Sequence, residues 1–276
     1  MFLVKKIVFV GAGSMAEAII SGLVKKKVYP AENIFVMNKT DYERLDQLQT
    51  KYGVSIICPN KKALEEADLI ILATKPQDIQ QAMADIRPFL NEHSAILSVS
   101  AGISIETIEK SIGSRPIARS MPNTSAAIGK SATGISFNPS VSNALKKEIN
   151  HLLEAVGIVQ QVDEDALHTV TALAGSGPAY IYYLVEALEE IAMKQGLSRD
   201  VARSLTIQTL EGAAAMLRDT KEEPAILREN VTSPNGTTAA GLNALAEGGF
   251  KELIAECIIA ADHRSRELSK NPTVKK

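Results

Sequence analysis

The chain has 276 residues, enough for one large or two medium domains, and a formal net charge of −2. It contains no long block of like charge, which argues against nucleic acid or a membrane surface as a partner. The two cysteines, Cys58 and Cys257, lie far apart and the four histidines are scattered, so we expect no metal site.

The first predicted strand, residues 7–10, leads into a dinucleotide-binding pattern. Gly11, Gly13 and Ala16 follow in G-x-G-x-x-A spacing, and a helical pattern begins at once. The N–H groups at the start of that helix would face the phosphates of a bound dinucleotide. The predicted cofactor contacts in this turn are Gly11, Ala12, Gly13, Ser14, Met15 and Ala16. Residues 1–5 leave no room for a signal peptide, so we expect a cytoplasmic protein.

The second predicted strand, residues 34–37, ends in a sequence that favours NADPH. A site that prefers NAD usually carries Asp or Glu here, to accept hydrogen bonds from the ribose 2′-hydroxyl. Asn38, Lys39 and Thr40 instead supply donors and positive charge for a 2′-phosphate, with Arg44 one turn further on. We predict NADPH as cofactor and NADH as a weaker substitute. The alternative is that Lys39 and Arg44 are solvated surface charges.

Strands and helices alternate up to about residue 160. Further strands are predicted over residues 54–58, 69–73, 95–99, 116–120 and 134–137. Helices are predicted over residues 41–52, 63–67, 77–90, 105–112 and 141–156. This alternation predicts an α/β fold, with a Rossmann-type, doubly wound, mostly parallel sheet over residues 1–162.

Three of the predicted strand ends are short, polar and rich in Gly or Pro. They are residues 73–76, 98–102 and 121–124. Because ligands of open α/β sheets bind beyond the carboxyl ends of the strands, we expect these ends to line the cofactor site. Lys75 would hold phosphates or ribose, and Asn123 would bond the carboxamide end. The predicted contacts are Ala73, Thr74, Lys75, Pro76, Ser100, Ala101 and Asn123.

After about residue 163 the strand pattern stops. Helices are predicted over residues 180–194, 199–218, 239–246 and 250–269, so residues 163–276 form an all-helical domain. The uncharged segment 166–185 is long enough to span a membrane, but residues 175–178 interrupt it. We predict a loop entering a buried helix there. The apolar helices favour dimerisation, and the alternative is a self-contained bundle.

Residues 231–241 form a polar loop between two of these helices. Pro234, Asn235 and Gly236 are turn formers, and four hydroxyl side chains surround them. Small hydroxyls beside backbone N–H groups at the start of a helix suit a small carboxylate. The alternative is an ordinary helix N-cap.

Together these motifs resemble those of the Δ1-pyrroline-5-carboxylate reductase family. The resemblance is carried by residues 11–16, 73–76, 98–102, 121–124, 175–180 and 231–241, in order over nearly the whole chain. The last two segments are specific to the family, whereas the first is generic to dinucleotide folds. The resemblance implies NAD(P)H-dependent reduction of 1-pyrroline-5-carboxylate to L-proline, the last step of proline synthesis. It also implies a homodimer through the helical domain, in some members within a ring of dimers.

The resemblance further implies residue roles. Asn60 lies near the adenosine of the cofactor, and substrate is bound by Ser233, Gly236, Thr237 and Thr238. The N–H groups of Gly236 and Thr237, with the Ser233 hydroxyl, would hold the carboxylate. Thr238 is the predicted catalytic residue, because it would donate a hydrogen bond to the ring nitrogen or relay a proton.

Three positions depart from the usual pattern of the family. Ser14 stands where the family usually has Asn, Ala174 where it has Ser, and Asn235 where it has Gly. Asn tolerates positive φ, so the turn survives, but its side chain near the substrate loop could lower activity. Two other functions stay open. One is a related imine reductase or β-hydroxyacid dehydrogenase, for which Lys194 is the nearest candidate lysine; the other is a non-enzymatic NADPH-binding regulator.

Overall fold

The computed structural model describes residues 4–57 and 62–270. Cys58 and Asn60 lie outside the described residues. The chain divides into two compact units. One holds the residues up to Ser176 together with those from Ala260 onward, and the other is Gly177–Ile259.

The first unit is built on one eight-stranded sheet. Its strands are β1 Ile7–Val10, β2 Ile34–Met37, β3 Ser55–Ile56, β4 Leu69–Leu72, β5 Ala95–Ser98, β6 Ile117–Met121, β7 Ser131–Phe137 and β8 Gly157–Gln161. The strand order is β3-β2-β1-β4-β5-β6-β7-β8, and every neighbouring pair is parallel except β6 and β7. The predicted α/β fold with a doubly wound, mostly parallel sheet is confirmed.

Helices cover both faces of this sheet. They are α1 Ser14–Lys25, α2 Tyr42–Tyr52, α3 Lys62–Glu65, α4 Ile79–Ile86, α5 Ile105–Ile112, α6 Asn143–Glu154 and α7 Leu167–Val170. Alternate residues of β1 enter different cores: Ile7 and Phe9 pack with α1, α2 and α6, while Val8 and Val10 pack with α4 and α5. Two buried faces explain why the central strands are continuous apolar runs.

The far edge of the sheet differs from the prediction. β7 begins at Ser131, three residues before the predicted start, and β8 was not predicted. Asn138 follows β7 and joins it to the start of β6. Its Oδ1 accepts from the Ile117 N–H at 3.0 Å, and its Nδ2 donates to the Arg115 carbonyl at 2.8 Å. These bonds stabilise the antiparallel pair.

The second unit is helical. Its elements are α8 Gly177–Lys194, α9 Arg199–Thr220, α10 Pro224–Asn230, α11 Thr237–Glu247 and the first half of α12 Phe250–Lys270. Four of these helices were predicted, and α10 was missed. The predicted loop at residues 175–178 is wrong, because a π-helical turn, Thr171–Gly175, leads almost directly into α8. Most of α8 is exposed in the single chain. In the part of the chain that the structure describes, no helix is long and apolar enough to cross a membrane.

The last turns of α12 belong to the first unit and are tied to α7 and the residues before it. Arg266 donates to Asp165 and to Asp262, each at 2.6 Å. His168 Nδ1 lies 2.9 Å from Ser265 Oγ, and both residues are buried. Burial, with the nearby Arg119 and Arg266, lowers the pKa of His168. A neutral imidazole suits a buried hydrogen bond to a hydroxyl.

We expect Asn138→Ala to lower the free energy of unfolding by about 2–3 kcal/mol. The substitution removes two hydrogen bonds and leaves the buried Ile117 N–H without its acceptor. Urea denaturation monitored by circular dichroism measures the change. Asn143→Ala, at an exposed position in the first turn of α6, is the matched control and should stay within about 0.5 kcal/mol. Equal stability of the two variants would contradict this role of Asn138.

Candidate functional site

A cleft of about 1140 Å³ lies at the carboxyl ends of β1, β2 and β4. This is where an open α/β sheet binds its ligand. Ten of the residues predicted to contact a cofactor line it: Gly11, Ala12, Gly13, Ser14, Asn38, Lys39, Thr40, Ala73, Thr74 and Lys75. The structure therefore joins three turns that are distant in the sequence into one surface.

The turn after β1 passes very close to the end of β4. Gly11 has φ +108°, and a Cβ added there would lie 2.6 Å from the Ala73 carbonyl oxygen. The Gly11 N–H donates to the carbonyl of Met37 at 3.0 Å. Glycine is required at this position by both the dihedral angle and the space.

Helix α1 begins at the wall of this cleft with no cap of its own. Gly13 is its N-cap residue, and no described side chain caps it. A Cβ added at Gly13 would meet no described heavy atom within 4 Å. The first-turn N–H groups and the positive end of the helix dipole are thus open to an anionic group in the cleft.

The turn after β2 organises donors around Asn38. Its Oδ1 accepts from the N–H groups of Thr40 at 3.2 Å and Asp41 at 3.3 Å, which leaves the amide NH₂ as the donor end. Lys39 is 71% exposed, with its Nζ 3.9 Å from Asp85 Oδ2. Asp41 caps α2 by accepting from the Arg44 N–H at 2.9 Å. The Asp41 carboxylate is therefore engaged in the fold.

Arg44, predicted to lie near a 2′-phosphate, lines the cleft and also contacts the turn after β1. Its Nε donates to the Ala12 carbonyl at 3.0 Å, and its Nη2 pairs with Glu17. Glu17 also accepts from Lys51 at 2.9 Å and from the Tyr52 hydroxyl at 2.8 Å. These donors, Arg44 first, lower the pKa of Glu17 to about 2, so its carboxylate is ionised at neutral pH.

The ends of β4 and β5 form the opposite wall. The Ser100 hydroxyl donates to the Thr74 carbonyl at 2.7 Å, which ties the two strand ends together. Thr74 Oγ1 is buried and has no hydrogen-bond partner among the described residues. A buried hydroxyl without a partner is costly, so its position in a cleft wall suits a polar ligand.

Six other residues that were predicted to contact the cofactor are not among those that line the cleft. Ser100 is buried behind Thr74, Ala16 is fully buried against the sheet, and Asn123 is 8% exposed. The Asn123 amide donates to the Ala174 carbonyl at 3.0 Å, and its Oδ1 accepts from the Ser125 N–H. The remaining residues of this set are Met15, Pro76 and Ala101. Their contacts with a cofactor stay predictions, as does that of Asn60.

The polar loop of the second unit leads into α11. Gly236 is the N-cap residue of α11, with no described side-chain cap, and Asn235 has φ +57°. A Cβ at Gly236 would overlap Ser233 Oγ, so the glycine allows that hydroxyl to lie against the start of the helix. Thr237 and Thr238 form its first turn, and Thr238 is half-buried.

The Gly236 N–H is predicted, with that of Thr237, to hold the substrate carboxylate. The Gly236 N–H donates to the Ser233 carbonyl at 3.1 Å and closes the turn. The N–H groups of Thr237 and Thr238, in the first turn of α11, are therefore the backbone donors that the loop offers to an anion.

Several cleft residues were not predicted. Glu17, Gln81 and Asp85 line it from α1 and α4. Nothing in the local sequence marks them, because helices reach the cleft only through tertiary packing. Lys194 is exposed and pairs with Glu190 at 2.6 Å one helical turn away, as expected for a surface lysine. Among residues 4–57 and 62–270, no group of three or more His, Cys, Asp or Glu side chains is placed to hold a metal ion.

Two protein-family models match the chain. Residues 6–102 match the family of NADP oxidoreductases described as coenzyme F420-dependent. Residues 164–268 match the family described as pyrroline-5-carboxylate reductase dimerisation.

Relatives of known type match almost the whole chain. Pyrroline-5-carboxylate reductase 1 of Bacillus subtilis is 46% identical over 268 residues, which cover 97% of this chain and 90% of that protein. The structure of a pyrroline-5-carboxylate reductase from Coxiella burnetii is 36% identical, with a TM-score of 0.90, and covers 96% of this chain and 99% of the other. The Plasmodium falciparum pyrroline carboxylate reductase with NADP bound is 28% identical, with a TM-score of 0.85, over 98% of this chain and 99% of the other.

Proposed function

The chain belongs to the pyrroline-5-carboxylate reductase family, and we propose that it reduces 1-pyrroline-5-carboxylate to L-proline with NADPH. Most support comes from the loop at the start of α11, where hydroxyls and open N–H groups suit a small carboxylate. The same chain also carries a dinucleotide cleft. The presence of both features favours hydride transfer to a small carboxylated substrate.

The cleft residues fit NADPH. The open start of α1 at Gly13 suits the pyrophosphate, and the unpartnered Thr74 hydroxyl suits a polar group of the cofactor. Asn38, Lys39 and Thr40 offer the 2′-phosphate amide, ammonium and hydroxyl donors. The P. falciparum relative, which has NADP bound, supports the same choice of cofactor. When bound, NADPH supplies the hydride, and NADH is a weaker donor.

The loop before α11 would hold the substrate by its carboxylate. The Ser233 hydroxyl and the N–H groups of Thr237 and Thr238 are donors on one side of the turn. Fixing the carboxylate orients the five-membered ring and reduces the entropy cost of reaching the reactive geometry. Gly236 contributes by its lack of a side chain.

Thr238 would act on the ring nitrogen. Reduction of the C=N bond adds a hydride to carbon and leaves a proton on nitrogen. A hydroxyl has too high a pKa to be a strong acid, so Thr238 donates a hydrogen bond to the imine nitrogen or relays a proton from water. This role suits an imine that is already protonated near neutral pH.

We infer that the helical domain, residues 163–276, forms a homodimer. Helices α8 and α9 expose large apolar side chains, among them Tyr182, Tyr183, Leu205 and Ile207. Covering such a surface with a second copy removes apolar area from water. The match of residues 164–268 to the dimerisation model supports this. We also propose that dimers assemble into a ring, and that the enzyme works in the cytoplasm.

The first test is NADPH oxidation, followed at 340 nm with 1-pyrroline-5-carboxylate and with identification of L-proline as the product. NADH and a reaction without substrate are run beside it. Rapid, substrate-dependent oxidation is expected, with NADPH preferred. Binding of NADPH without turnover of this substrate would contradict the proposed reaction and favour another imine or a regulatory protein.

Thr238→Ala should lower kcat by about 10- to 100-fold and leave the Kd of NADPH unchanged. The reason is the loss of one hydrogen bond that strengthens as charge changes at nitrogen. Steady-state kinetics and calorimetric titration measure the two effects. Thr232→Ala is the matched control, because the Thr232 hydroxyl donates to the Arg228 carbonyl within the same segment. Normal turnover in Thr238→Ala would remove Thr238 from the mechanism.

Asn235→Gly should raise kcat/KM for the imine and leave the Kd of NADPH unchanged. Glycine adopts the φ of +57° without a side chain and clears space beside Gly236. Asn235→Ala is the paired variant and should destabilise the loop by about 1 kcal/mol, because alanine tolerates this φ less well than asparagine. A fall in kcat/KM for Asn235→Gly would mean that the Asn235 side chain assists binding.

A further inference from the structure

The turn between β1 and α1, residues 11–13, is called here the phosphate-binding turn. Arg44 of α2 holds it through a hydrogen bond to the Ala12 carbonyl. Ala12 stands between Gly11 and Gly13, is 2% exposed, and its oxygen accepts from Arg44 Nε at 3.0 Å. In a trans peptide the carbonyl of one residue and the N–H of the next point in opposite directions. Fixing the Ala12 carbonyl toward Arg44 therefore fixes the Gly13 N–H away from it.

The position of Arg44 is itself fixed by contacts and by partial burial. Its backbone N–H donates to Asp41 Oδ1 at 2.9 Å, its Nη2 pairs with Glu17, and its side chain is only 25% exposed. Glu17 lies in the first turn of α1, beside the same Gly-rich turn. One guanidinium thus connects α2, α1 and the turn between β1 and α1. A planar group with several fixed donors suits this bridging geometry.

The charges around Glu17 are balanced. Its ionised carboxylate accepts from Arg44, Lys51 and the Tyr52 hydroxyl. An unpaired anion so close to a pyrophosphate site would repel the ligand. If Arg44 left to contact a 2′-phosphate, it would give up both the Ala12 carbonyl and Glu17.

Lys39 differs from Arg44 in its exposure and in its distance from a carboxylate. Its side chain is 71% exposed, and its nearest described carboxylate, Asp85, lies 3.9 Å away. That distance exceeds a hydrogen bond, so the ammonium can turn toward a phosphate at little cost. The two cations near the adenosine end of the cleft are therefore suited to different tasks.

We propose that Arg44 is a positioning residue of the phosphate-binding turn, not a ligand of the 2′-phosphate, and that it supports NADPH and NADH binding equally. Selectivity for NADPH then comes from the Asn38–Thr40 turn. The proposal concerns the cofactor site of the NADPH-dependent reduction proposed above and deepens it.

The test is calorimetric titration of NADPH and of NADH into the whole protein and its Arg44→Gln and Arg44→Lys variants. In Arg44→Gln the Kd of each cofactor should rise about tenfold, with their ratio unchanged within about twofold. Arg44→Lys should give a smaller rise in both, because an ammonium reaches Glu17 or the Ala12 carbonyl but not both. At saturating NADPH, kcat of both variants should stay close to that of the parent. The reason is that the described contacts of Arg44 lie within residues 12–47 and do not involve the loop proposed to bind the substrate.

Two matched controls separate position from charge. Lys39→Gln removes the exposed cation and should weaken NADPH about tenfold while leaving NADH unchanged. Lys51→Gln removes another cation from Glu17, but the described contacts of Lys51 are with Glu17 and the ring of Tyr52. Its Kd for both cofactors should stay within about twofold of the parent. A thermal unfolding scan of each variant verifies that it is folded. If Arg44→Gln does not fold, the Kd values of Arg44→Lys decide the outcome.

Selective loss of NADPH in Arg44→Gln would make Arg44 a 2′-phosphate ligand and overturn the proposal. Unchanged binding of both cofactors would also overturn it. These results are separate from the test of the reaction. A parent protein that binds NADPH but does not reduce the imine contradicts only the proposed reaction, whereas one that binds neither cofactor contradicts both.

Discussion

Unmet hydrogen-bonding capacity at helix starts is the constraint on which both candidate sites depend. The first-turn N–H groups of a helix need acceptors, and α2, α5 and α6 receive one from their own Asp41, Ser104 and Ser142 side chains. Helices α1 and α11 begin instead at Gly13 and Gly236, which have no side chain to offer. A phosphate at one start and a carboxylate at the other would complete the hydrogen bonding that the chain leaves open.

The cofactor cleft is also a problem of charge placement. Anionic side chains reach its wall from α1 and α4, at Glu17 and Asp85, although its ligand is itself anionic. The cations are distributed to match. Arg44 and Lys51 neutralise Glu17, while Lys39 stays exposed near Asp85. Arg44 is thus engaged with the turn between β1 and α1, while Lys39 is the more exposed of the two cations.

The departures from the usual family pattern have different structural weight. Asn235 adopts φ +57°, so the turn that the family forms with glycine is kept by a residue that tolerates this conformation. At Ala174 the contact is made by the backbone, since its carbonyl accepts from the Asn123 amide, and the missing hydroxyl does not affect that bond. Ser14 is exposed at the cleft and keeps a small polar group there.

The sequence alone determined the features that depend on neighbouring residues. Short apolar runs predicted the central strands, helix α5 was predicted with its observed ends, and the glycine and hydroxyl patterns identified both turns. Tertiary structure alone decided the antiparallel direction of β7, the added edge strand β8 and the contact of Arg44 with Ala12. Periodicity and turn preference act over a few adjacent residues and can therefore be read from the sequence. Strand pairing and long-range side-chain hydrogen bonds join segments that are distant in the sequence and meet only when the chain folds.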